Sequence, residues 1–154
     1  MALNAAIVWE VRTAGSDNNG GGFKTGATGT DRSQQDAAQA TLTTASTVHT
    51  TTTQINVAAG DYTVASTDVG NVLQVTGGTA TAGFYEITTV DTANNRWTVD
   101  RSVGTSGQTV AGAMGGALAS PGKAAGAASV AGHIIYVKAG TYSITVAYDV
   151  VNAK

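Results

Sequence analysis

The stretch from Asp68 to Arg101, DVGNVLQVTGGTATAGFYEITTVDTANNRWTVDR, constrains the fold more than any other part of the chain. Apolar and polar residues alternate along it in short runs, a period that suits half-buried strands. Val72, Leu73 and Val75 open the first run, and the cluster Gly77-Gly78-Thr79 predicts a break in pairing. Phe84 to Val90 forms a second run, Asp91 to Asn95 a turn, and Trp97 to Asp100 a third run. About five turn residues separate the last two runs, a usual hairpin length. Within the second run Tyr85, Ile87 and Thr89 fall on one face, and Phe84, Glu86, Thr88 and Val90 on the other. Three strands joined by two polar turns follow. The stretch carries no nucleophile–base pair, metal-ligand spacing or phosphate loop.

Strand signals continue on both sides. Asn4 to Arg12 has an apolar centre, with Ile7, Trp9 and Val11 on one face and Val8 and Glu10 on the other. A strand this early either joins the main sheet or reaches a neighbouring subunit as an arm. Thr13 to Thr30 reads as a loop around Gly15-Ser-Asp-Asn-Asn-Gly-Gly-Gly22, either mobile or pinned by backbone contacts. Asp31 to Ala40 reads as a short helix-like patch, with Ser33 and Asp36 in capping positions. Ser46 to Val57 supplies one or two strands, Gln108 to Ala111 a short one, and Gly112 to Ala119 a small, flexible segment. Ser120-Pro121 starts a helix as cap and first-turn proline, and Gly132 stops it. His133 to Lys138 and Tyr142 to Val150 then form a strand pair around the turn Ala139-Gly140-Thr141.

Charge narrows the function classes. Only 12% of the 154 residues are charged, against about 25% in an ordinary domain, and the net charge is -2. Twenty glycines, with about 25 each of Thr and Ala, supply polarity through hydroxyls and backbone. A weakly charged, threonine-rich surface suits pleated sheet and coverage by a partner. The eight Lys and Arg residues form no stripe, which argues against nucleic acid as a partner. No segment has the apolar length of a membrane span, and the N-terminus lacks a signal-peptide pattern. With no cysteine there is neither a disulfide scaffold nor a thiolate metal site.

The chemistry-bearing residues read as structural. Asp17-Asn-Asn-Gly20 lacks the later acidic ligands of a calcium loop, so it is an ordinary turn. His133 is expected to be a hydrogen-bonded strand-edge residue and His49 to pair with a hydroxyl. No G-x-S-x-G motif occurs. Glu86 stands out as a mid-strand carboxylate, expected to pair with a cation, Arg96 across the hairpin. A glycosidase needs two carboxyls about 5 to 9.5 Å apart across a cleft, which spacing in sequence cannot decide. No catalytic residue, cofactor or metal is assigned. Trp9, Val11, Phe84, Tyr85, Trp97 and Tyr142 are the candidate interface residues, because aromatics dominate cores and interfaces alike.

Two stretches carry a resemblance. GGALASPGKAAGAASVAGHIIYVKAGTYSIT (Gly115 to Thr145) resembles the opening of pectin-lyase-like right-handed β-helix proteins. Those begin with a capping helix, a strand and a V-x-A/P-G-T-Y turn, the position of Val137 to Tyr142. WEVRTAGSDNNGGGF (Trp9 to Phe23), TDRSQQDAAQ (Thr30 to Gln39) and the 68–101 module are similar to an amino-terminal region of bacteriophage structural proteins. There it precedes β-rich segments of tail fibres, spikes and head-surface proteins. Together the two stretches cover most of the chain. A β-helix needs several stacked coils, and Lys154 falls about where a second would begin, so lyase or depolymerase activity is not carried over.

The combined expectation is one all-β domain over residues 1–154, compact and β-sandwich-like, with one short helix. It comprises a possible N-terminal arm (1–12), a central three-stranded module (68–101), and a capping helix plus hairpin (115–150) resembling a first β-helix coil. The resemblance implies a non-enzymatic virion structural protein: a capsid decoration or cement protein. It would be a homotrimer held on the major capsid protein at the virion surface and made in the host cytoplasm, with the arm clamping neighbouring subunits. The alternative is a carbohydrate-binding tail-fibre or tailspike module that attaches to host surface polysaccharide. A free-standing polysaccharide lyase ranks third.

Overall fold

A computed structural model describes residues 3–143 of the chain. Along them run β1 (Ile7–Val11), β2 (Gly22–Lys24), β3 (Ala40–Val48), β4 (Gln54–Asn56), β5 (Val72–Gly78), β6 (Gly83–Asp91), β7 (Arg96–Val99), β8 (Thr109–Met114), α1 (Pro121–Ala127) and β9 (Ile134–Val137). The fold is therefore all-β with one short helix. Six strands close into a barrel in the order β3-β4-β7-β6-β5-β8, every neighbouring pair antiparallel. The two packed walls expected of a sandwich-like domain are parts of this one continuous sheet. The 68–101 module contributes three consecutive strands to it, β5, β6 and β7.

Closure depends on three irregularities that periodicity does not reveal. Register shifts between Leu42 and Ser46, Val75 and Gly77, and Ile87 and Thr89 bend the strands and raise their twist. At the second, Gly77 and Gly78 extend β5 through a bulge, so the expected break in pairing does not occur. Beyond the third, side chains change face. Tyr85 and Ile87 share a buried face, but Thr89 is exposed, and Val90 packs against the core instead.

Burial of Leu42, Ile55, Leu73, Tyr85, Ile87, Trp97, Val110 and Met114 fills the barrel. Each large apolar side chain taken out of water contributes about 1.5–3 kcal/mol. A second core lies outside the barrel wall, where Ile7, Trp9 and Val11 meet Val72, Leu118 and the Ala124/Ala127 face of α1. Here β1 is the middle strand of a three-stranded sheet, antiparallel to β2 and parallel to β9. This corrects the arm. Val11, Trp9 and Ile7 are fully buried within their own chain, and β1 is paired on both sides, so 7–11 is an internal strand and not a free arm.

Other expectations change for equally local reasons. Residues 31–39 form turns and loop, and Ala40 already belongs to β3: the Asp31 carboxylate accepts from Ser33 N, Ser33 Oγ and Gln34 Nε2, taking the place of a helix start. The 112–119 segment is buried strand and loop, because Gly112 to Met114 continue β8 beside β3 and β5. The glycine loop is pinned by its backbone: Ser16 N, Gly20 N and Gly21 N donate to the carbonyls of Ala117, Gly115 and Gly116. At α1 the expected start is met, but the helix ends at Ala127 with Ala128 as its C-cap, short of the Gly132 stop. Ser120 Oγ accepts from Lys123 N at 3.2 Å, and Pro121 occupies the first turn. The first arm of the expected terminal hairpin is β9, and most of the second, Tyr142 to Val150, lies outside the described residues.

Candidate functional site

Of the six candidate interface residues, four are interior. Trp9, Val11, Tyr85 and Trp97 are at most 2% exposed. Trp9 meets Phe84 edge-on, with ring centres 5.2 Å apart, and donates its Nε1 proton to His133 Nδ1 at 3.2 Å. With Nδ1 accepting, the His133 proton sits on Nε2 and is donated to the Asn4 carbonyl at 2.9 Å. His133 thus links β1 to the chain before it, the hydrogen-bonded role expected. Phe84 and Tyr142 are half-buried. The Tyr142 hydroxyl reaches the Lys138 carbonyl at 2.6 Å and the Val11 carbonyl at 3.3 Å. His49 Nδ1 accepts from Thr51 N, and Thr50 Oγ1 lies 3.3 Å from it.

Inside the barrel one carboxylate organises its surroundings. Asp68 is fully buried and accepts from Trp97 Nε1, Tyr62 Oη and Ala65 N, each at 2.9 Å. Asn71, also fully buried, accepts from Arg32 N and donates to the carbonyls of Thr30 and Asp68. These two side chains tie the loop before β5 to the barrel. No motif announces them. Their one sequence signal is a pair of polar residues just before the apolar run that begins at Val72.

Burial, then the hydrogen bond to Asp68 and the charge of that carboxylate, push the Tyr62 phenol up from 10.0 to about 12. Burial likewise raises Tyr85, with the nearby Arg101 opposing it. The sign follows. A phenol held protonated by the fold contributes stability that is complete below the unfolded value and is lost as pH rises through the folded one. The protein should therefore lose stability between pH 10.0 and about 12. Urea midpoints across that window should fall less steeply for Tyr62→Phe than for the wild type.

Several other charged groups hold the structure together. Glu86, 4% exposed, pairs with Lys24 at 3.3 Å, joining β6 to β2. Its expected partner, Arg96, donates instead to Asn56 Oδ1 at 2.9 Å, because β4 lies beside β7 in the closed sheet. Asp100 accepts from Glu86 N at 2.9 Å and pairs with Arg101 at 2.6 Å. Arg101 also donates to the Phe84 carbonyl and lies over the Tyr85 ring. Asp17, in the glycine-rich loop, accepts from Ala119 N, Ser120 N and Ser120 Oγ. Among the described residues no three His, Cys, Asp or Glu side chains gather as a metal site.

The surface that does stand out was not among the candidates. Among the described residues, Ile134, Tyr136 and Val137 are 48%, 58% and 48% exposed, and all three lie on β9, at one edge of the small sheet. A sequence signal existed: IIYV is an unbroken run of four large apolar residues. A run of this kind ordinarily marks burial on both faces. No protein-family model, curated protein or solved structure matches the chain.

Proposed function

We propose that this chain is a non-enzymatic structural protein of a bacteriophage virion, a capsid decoration or cement protein that assembles as a homotrimer on the major capsid protein. The reading starts from the resemblance of residues 9–23, 30–39 and 68–101 to phage structural proteins. The observation that carries it further is the apolar strand β9, which is an edge among the described residues and whose Ile134, Tyr136 and Val137 are about half exposed there. Exposed apolar edges invite pairing, and a free monomer gains by covering them.

With β1 internal, clamping by an N-terminal arm gives way to contact through β9. Around a threefold axis each copy offers β9 to a different surface of the next, a ring that closes. Three side chains cover too little on their own, since a stable contact buries roughly 1,200–2,000 Å². Backbone pairing along the β9 edge and its flanking turns would supply the remainder. Repeated over a shell, weak contacts of each trimer with capsid subunits gain strength by avidity and resist internal pressure.

Light scattering over a dilution series tests the assembly step. The expected mass is three times the 15.3 kDa of one chain. Tyr136→Glu should reduce it to one chain while leaving thermal unfolding of the barrel unchanged, since Tyr136 is 58% exposed. A wild-type monomer at every concentration would overturn the trimer.

A further inference from the structure

Two hollows of about 360 and 440 Å³ adjoin on the outer wall of the barrel and share Asn18 and Thr76. The first lies between the Ser16–Asn19 turn, β3 at Thr41 and Leu42, and the small residues Ala111 to Ala113 of β8. The second continues past Thr76 to Phe84 and Lys123. Each is within the roughly 300–1,000 Å³ of small-ligand sites. Together they make an elongated groove lined by hydroxyls, amides, one aromatic ring and one ammonium. No carboxylate lines either hollow.

The far end is built by a buried side chain. Gln74 is 5% exposed, and one amide orientation gives all its polar atoms partners. Its nitrogen then donates to the carbonyls of Asp17 and Asn19 at 3.1 and 2.7 Å, and its oxygen accepts from Lys123 Nζ at 2.9 Å. Gln74 thereby fixes both the turn that walls the groove and the ammonium at its end. Lys123 also lies 5.4 Å from the centre of the Phe84 ring. Arg12, Lys24 and Arg101 each have a carboxylate within 4 Å, whereas among the described residues Lys123 has none. Asp17, whose backbone borders the groove, spends its carboxylate on Ala119 and Ser120. A positioned cation is left facing the groove with only neutral partners.

We infer that this groove binds an acidic saccharide. A sugar carboxylate would pair with Lys123, a charge-assisted bond stronger than a neutral one. The apolar face of the same ring would cover Phe84, and further hydroxyls would bond Asn18 and Thr76 along the groove. With no carboxylate in the lining, the groove lacks the carboxyl pair of a glycoside hydrolase. This inference does not depend on the trimer or on the position of the protein in a particle.

The test is an amide-shift NMR titration of the full chain with tetragalacturonate, its methyl ester and maltotetraose. Tetragalacturonate should move the Asn18, Thr76, Gly112 and Lys123 resonances, and the two neutral sugars should bind at least about tenfold more weakly. Lys123→Met should erase that preference. Thr76→Glu, at an exposed position, should block tetragalacturonate by placing a like charge in the groove, with the fold unchanged. Shifts confined to other surfaces, equal affinity in Lys123→Met, or the same shifts from acetate alone would each overturn the proposal.

Discussion

Replacing Asp68 with alanine should destabilise the protein by about 4 kcal/mol, enough to unfold much of a marginally stable domain. Three donors converge on this carboxylate, Trp97 Nε1, Tyr62 Oη and Ala65 N, and Asp68 itself is fully buried. Alanine leaves all three without a partner in the barrel core, and each unsatisfied buried donor costs about 1–3 kcal/mol. The small cavity adds to the loss. Asp68→Asn keeps one acceptor oxygen and should cost roughly half as much. Urea unfolding followed by tryptophan fluorescence measures both, because Trp97 reports on this site. A loss below about 1 kcal/mol for the alanine variant would mean that water replaces the carboxylate.

Gly20→Ala should be almost as damaging, at about 3 kcal/mol. A Cβ on Gly20 would collide with the Val72 carbonyl oxygen and come within 2.9 Å of Gly115 N. Both neighbours are backbone: Val72 begins β5, and Gly115 follows β8 and accepts the Gly20 N–H at 3.0 Å. Neither can yield without breaking the ladder that closes the barrel. The matched control is Gly60→Ala, where a Cβ meets nothing within 4 Å. There the loss of unfolded-chain freedom should leave stability unchanged or slightly higher. Thermal unfolding of the two variants side by side separates close approach from glycine content. Asn18 and Asn19 belong to the same turn, so Gly20→Ala should also weaken saccharide binding in any fraction that folds.

The sequence by itself determined the strands of the 68–101 module, the Ser120 cap with Pro121, and the all-β class. Each rests on a local cause: side-chain alternation, an acceptor placed for a free N–H, and turn residues between apolar runs. Tertiary structure alone decided the rest. The bulges at Gly77 and Thr89 shift register by pairing with β8 and β7, strands distant or separated by a turn, so alternation misplaced Thr89 and Val90. Closure set β4 beside β7, which gave Arg96 to Asn56 and left Glu86 for Lys24. The aromatic residues look alike in sequence whether they fill a core or cover a partner. Trp9, Tyr85 and Trp97 went inside because two cores, within the barrel and beneath the small sheet, had room for them. The groove of Asn18, Thr76 and Lys123 joins residues more than a hundred positions apart, a juxtaposition that only the packing of the loop and α1 onto the barrel creates.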